Sequence, residues 1–191
     1  MDETDNTDMR FPASELRASG GEIYCMVFEN KNTGLARNLF WSLTLNFEPV
    51  GQESYVSMTC DWIPWKLRRW KELDGIKLAS QYGEDGIEGS FYVCEHDLME
   101  NVSLSLQYVR ENLFRLEMEM TVDYQGSEFS DPEPHLLVKG CAIVPFVGLY
   151  LGRGIDLTDA AEFLNLSAFE SEPSNNECGK PYYKAKNETS H

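Results

Sequence analysis

Alternate residues of a β-strand stand about 6.6 Å apart on one face, and "FRLEMEMTVDY" (114–124) sets Glu117, Glu119 and Asp123 on such a face. Paired carboxylates at about 6.5–9.5 Å serve inverting glycosidases, one as acid and one as base. That chemistry needs one carboxyl whose pKa is raised by a pocket. Here the carboxylates share their face with Arg115 and Thr121, while Phe114, Leu116, Met118, Met120, Val122 and Tyr124 take the other face. Strict alternation of this kind marks a strand with one side in the core and one in water. The expectation is a wet carboxylate face.

A second cluster is "YVCEHDL", in which Cys94 and His96 share a strand face as half of a zinc site. Two more ligands would have to come from elsewhere, for example Cys60 or His135, and no spacing in the sequence brings them near. His96 therefore reads as a surface histidine at a strand end. Cys141, within "KGCAIV", reads as a buried structural thiol whose ionisation is suppressed by desolvation. No GxSxG nucleophile turn is present. Gly152-Arg-Gly154 lacks the third glycine of a dinucleotide loop, because that position is Leu157. No residue is assigned a catalytic role, and no metal or cofactor is expected.

The segment "DWIPWKLRRWKELDG" (61–75) asks for binding chemistry instead. It holds Trp62, Trp65 and Trp70, three of the four tryptophans, together with Lys66, Arg68, Arg69 and Lys71. In one reading Asp61 caps a short helix near 63–72, Ile63, Leu67 and Trp70 pack inward, and the basic heads snorkel over the indoles. In the other, Trp62, Trp65, Arg68, Arg69 and Trp70 form an exposed aromatic–cationic patch, built from the residue types that dominate binding hot spots. The two readings overlap.

The surroundings of that segment are acidic. Sixteen basic against thirty-two acidic residues give a net charge of −16. Such a field repels phosphate backbones and anionic lipid and favours cationic partners, which argues against nucleic acid and membrane surfaces. The odd set of five cysteines has no CxxC pair, and the N-terminal "MDETDNTDMR" has no apolar targeting core; both point to the cytoplasm. The longest apolar run, 136–151, is broken by Lys139, Gly140, Pro145 and Gly148, so it belongs to a core rather than a membrane span.

The elements that position these residues are mostly strands. Period two governs "LFWSLTLNF" (39–47), and shorter strand patterns fall at 22–29, 54–60, 76–80, 87–93 and 102–109. The 136–147 run is apolar on both faces and should be a central strand bent near Pro145. Turn signals at Asn32-Thr-Gly, Asp74-Gly, Glu84-Asp-Gly and Asp131-Pro separate the strands. A helix is expected in "IDLTDAAEFLNLSAF", capped by Asp156 or Thr158. The result is a mainly β domain over 11–170, an antiparallel two-sheet sandwich or flattened barrel with one C-terminal helix and a short Trp-bearing helix. Residues 1–10 form a disordered acidic end, and 171–191 a polar tail in which only Pro181-Tyr182-Tyr183 can dock as a strand.

Charge, size and the absence of a catalytic constellation imply a non-enzymatic protein-binding module with a basic partner. Its most concrete form is an acidic inhibitor of the immunity-protein type. A carrier of a small apolar ligand and a carboxylate- or metal-dependent hydrolase are the alternatives.

Overall fold

The computed structural model describes residues 12–50, 55–81, 83–93, 95–123, 135–176, 179 and 181–186. The chain forms β1 (Ala18–Asn30), β2 (Leu35–Phe47), β3 (Val56–Ile63), β4 (Lys77–Gln81), β5 (Glu88–Val93) and β6 (Glu95–Arg110). These are followed by β7 (Leu113–Asp123), β8 (His135–Leu151), the single helical turn α1 (Leu157–Ala160), β9 (Ser174–Asn175) and β10 (Pro181–Lys184). Every strand expected from the period-two patterns is present.

Seven strands close on themselves in the order β1-β2-β3-β5-β6-β7-β8. Each neighbouring pair on this path is antiparallel, so strand direction alternates and the first and seventh strands run the same way. Closure must then be parallel, and β1 pairs with β8 in parallel. Two long strands flatten the barrel into layers. β6 pairs first with β5 and then with β4 along one edge, while β7 follows its other edge. β8 stays with β7 as far as Pro145 and takes up β1 from Phe146 onward. A residue without an N–H thus marks the point where the strand changes neighbours.

The inward faces supply the core. Trp41, Trp70, Phe91, Phe114 and Phe146 are fully buried. Trp70 stacks on Phe146 at 5.8 Å and meets Phe114 edge-on at 6.1 Å, while Trp41 lies 5.7 Å from Phe146. These rings span the space between the layers. Aromatic pairs at such separations contribute about 0.5–1.5 kcal/mol each beyond the area they bury.

Three local expectations are corrected. The short Trp-bearing helix is one 3-10 turn, Trp70–Leu73, because residues 61–63 remain in β3. Asp61 therefore caps nothing. The C-terminal helix lasts only one turn. Asp156 caps it as expected, accepting from Thr158 and Asp159, but Asn165 then turns its carbonyl onto the Ser167 N–H and starts a separate 3-10 turn, Leu166–Ala168. Such local side-chain bonds compete with helix continuation. Finally, β8 is not buried on both faces: Leu137, Lys139, Cys141 and Ile143 point outward and are exposed. The Pro181-Tyr182-Tyr183 segment docks as a strand as expected, with β10 antiparallel to β8 and β9 beyond it. Residues 1–10 and the Asp131-Pro turn lie outside the described residues.

Candidate binding surface

The site grows from a break in register between β2 and β3. Trp41 faces Ile63 and Leu43 faces Cys60, so Ser42 alone opposes both Asp61 and Trp62. This two-against-one count is a β-bulge, which re-aims side chains and recurs beside functional sites. Trp62 carries the left-handed backbone of the bulge, with φ of +60°. For a bulky side chain that conformation costs about 1–2 kcal/mol and is ordinarily left to glycine.

The bulge turns the Trp62 ring onto the outside of the barrel. There it meets Phe40 at 5.3 Å, edge-on, and Phe28 at 5.4 Å. The three rings wall an open groove of about 730 Å³ whose rim includes Leu35, Arg37 and Glu88. Arg37 is committed to acidic neighbours: it binds Asp159 of α1, and its Nε lies 3.5 Å from Glu29. It thereby ties the start of β2 to α1.

Beside the rings runs a polar chain. Ser42 is only 5 % exposed, and its side chain lies between Tyr24 and Asp61, where it lowers the pKa of each. Burial, with the nearby Glu88 charge adding to it, holds the Asp61 carboxyl above the usual carboxylate range, against the opposing effect of the Ser42 bond. Burial likewise pushes the Tyr24 hydroxyl up. Asp61 Oδ1 is buried without a hydrogen-bond partner among the described residues. Buried acceptors of this kind usually have a partner, so this one, next in sequence to Trp62 and paired with Glu88 across β3 and β5, needs an explanation.

The structure separates the residues that sequence placed in one patch. Trp70 is in the core at 1 % exposure. Trp65 is half-buried against Trp41, whose indole N–H donates to the Trp65 carbonyl at 3.1 Å. Arg68 and Arg69 are exposed and line a different open trough, of about 670 Å³, with Glu72, Leu164 and Asn165. Arg68 is tied there, donating to the Glu162 carbonyl at 3.0 Å and accepting from the Asn165 N–H at 2.8 Å. Lys71 sits 5.5 Å from the centre of its neighbour Trp70, the snorkelling arrangement. Of the five residues, Trp62 is the one at the groove.

Phe28, Phe40, Tyr24 and Asp61 were not singled out for the site from sequence. A signal existed in β1, where Tyr24, Met26 and Phe28 face outward between the inward Ile23, Cys25 and Val27. That strand lacks the apolar–polar alternation of β7.

The catalytic candidates fall apart. Glu117 lies 3.0 Å from Arg115 and Glu119 2.6 Å from Lys139, on the open outer face of the β4-β6-β7-β8 layer. His96 is exposed and near Ser90 and Tyr92, and His135 pairs with Glu100 at 2.9 Å. Cys60 faces the core, and Cys94 lies outside the described residues. Among the described residues, no three His, Cys, Asp or Glu side chains converge as metal ligands do, and no helix is long and apolar enough to cross a membrane. Cys141, expected inside, is exposed because β8 turns that face to solvent. Compared with known protein families, with characterised proteins and with solved structures, the chain shows no significant match.

Proposed function

We propose that this chain is a non-enzymatic protein-binding module whose partner is basic, and that the Trp62 groove is the place of contact. The observation that carries the reading is the strained backbone at Trp62, φ +60°, which sets a large, half-buried aromatic ring on the outer side of the barrel against Phe28 and Phe40. Backbone strain beneath a half-buried surface aromatic is retained when the ring has work to do there. Half-buried Trp beside Arg and carboxylates has the composition of an interface hot spot. The net charge of −16 supplies long-range attraction for a cationic partner and raises its association rate at low salt. The concrete form is an acidic inhibitor of the immunity-protein type that covers a basic, nuclease-like toxin.

The test uses immobilised full-length chain and native lysate at low and moderate salt. A single basic protein retained by the native chain and lost by Trp62→Ala is the expected result. Recovery of no partner at either salt, or equal recovery by both chains, would overturn the reading.

A second reading has one observation in its favour: Phe28, Leu35, Phe40, Trp62 and Pro64 make much of the groove wall apolar. A small apolar ligand could lodge there. Native mass spectrometry separates the two readings, since a carrier retains a ligand mass that Trp62→Ala releases.

A further inference from the structure

The outside of the β1-β2-β3-β5 layer carries rings where the outside of β7 carries charge. On β7 the outward positions are Arg115, Glu117, Glu119, Thr121 and Asp123, as a solvated face requires. On β1 they are Glu22, Tyr24, Met26 and Phe28. Register extends this row across four strands. Tyr182 on β10 faces Tyr150 on β8, Tyr150 faces Met26, and Met26 faces Phe40, which touches Trp62. Rings touch at the β10 end as well: Tyr182 stacks on Tyr150 at 5.3 Å with planes 21° apart, and Tyr24 meets Tyr150 edge-on at 5.2 Å. The barrel therefore wears an aromatic belt on its outer surface. A row of half-buried rings on the outer side of a sheet is the kind of apolar surface that marks a docking site.

Charge selects the occupant. Glu22 stands on the belt's own face, Asp61 and Glu88 face each other beside it, and Glu29 lies at its end. Of the nearby cations, Arg37 is bound to Asp159 and Glu29, Lys31 pairs with Glu29 at 3.2 Å, and Lys184 ends β10. Aromatic faces flanked by carboxylates recognise a flat cation: the guanidinium stacks on the ring and directs its in-plane N–H groups to the acids. An ammonium group has neither the plane nor the fork.

We infer that the belt from Tyr182 to Trp62 binds an arginine-bearing segment of the basic partner, its guanidinium groups stacking on the tyrosines and Trp62 and donating to Asp61 and Glu88. This rests on the proposed protein-binding role and adds the chemistry of recognition.

The experiment measures fluorescence polarisation of labelled oligo-arginine and oligo-lysine peptides of equal length against the full chain at moderate salt. Oligo-arginine should bind at least about tenfold more tightly than oligo-lysine, and Trp62→Ala and Tyr150→Ala should each weaken it by about tenfold, the loss typical of a hot-spot ring. Glu119→Gln, on the opposite layer, should stay within about twofold of the native chain. Circular dichroism confirms that each variant is folded, and Trp62→Gly, which relaxes the bulge, replaces Trp62→Ala if the latter is not. Equal binding of the two peptides, or unchanged binding by both aromatic variants, overturns the inference, because bulk charge then explains everything. A concentration-dependent dimer abolished by Trp62→Ala would assign the belt to a second copy and overturn it too. The two proposals fail separately. No partner from lysate with arginine selectivity intact sinks the cellular role alone. A captured partner indifferent to Tyr150→Ala and Trp62→Ala sinks the belt.

Discussion

The indole of Trp62 lies edge-on to Phe40, centroids 5.3 Å apart and planes at 81°, although the backbone beneath it is left-handed at φ +60°. Ring contact and backbone strain act in opposite directions on stability, and two substitutions separate them. Trp62→Ala removes the ring and keeps the strain, whereas Trp62→Gly removes both. The glycine variant should be the more stable of the two by about 1 kcal/mol, read from denaturant midpoints at equal m-value. A bulge glycine no better than alanine would mean that the backbone stores no strain there.

Asp61 gives a pH signature whose sign follows from its environment. Its carboxyl is held above the ordinary value of 3.8, chiefly by burial. The folded state thus binds its proton more tightly than the unfolded chain does, and this group's contribution to stability falls as pH rises from that ordinary value through the folded one. Asp61→Asn should therefore raise the denaturant midpoint at neutral pH, and the gain should vanish below 3.8, where both states carry the proton. A variant less stable than the native chain at neutral pH would show that the Ser42 hydrogen bond, not desolvation, dominates. The same variant tests function independently, because arginine selectivity should fall even as stability rises.

The thiols divide by face. Cys25 and Cys60 point into the barrel, where burial pushes Cys25 up and Cys60 up to about 12, with the Asp61 charge adding to the latter. Cys141 is on the solvent side of β8. A maleimide added to native protein should modify Cys141 within minutes and leave Cys25 and Cys60 untouched until denaturant is added, read peptide by peptide by mass spectrometry. Labelling of Cys25 or Cys60 at a rate close to that of Cys141 would contradict the barrel register.

The strands were legible because period two survives in sequence wherever one face meets water, as in Leu39–Phe47 and Leu113–Asp123. The surface was not, and the reason is physical. A bulge is one extra residue in one strand, and only the pairing of Trp41 with Ile63 and Leu43 with Cys60 reveals it. Sequence clustered Trp62, Trp65 and Trp70 because they are neighbours in the chain, but the bulge sends Trp62 outward while Trp70 turns into the core. The belt's remaining rings come from β1, β2, β8 and β10, which only closure of the barrel brings together. Cys141 misled because an apolar run was taken as buried on both faces, whereas the outer side of β8 before Pro145 is open.

The belt's far end depends on one glycine. Gly148 holds φ of +151°, and a Cβ there would lie 2.2 Å from the Tyr183 carbonyl oxygen, in the strand that carries Tyr182. The obstacle is backbone, so it cannot swing aside as a side-chain tip would. Gly148→Ala must displace β10 or distort β8, and since φ is also unsuited to alanine the cost should exceed about 1 kcal/mol. Hydrogen exchange localises the damage: amides of Tyr182, Tyr183 and Lys184, which pair with Tyr150, Leu149 and Gly148, should lose protection while those of β6 and β7 keep theirs. Because Tyr182 leaves its stack on Tyr150 with β10, oligo-arginine affinity should drop in step, although no belt residue has changed. Native-like protection of the β10 amides in this variant would show that β10 does not pack on β8 in the way that brings Tyr182 into the belt.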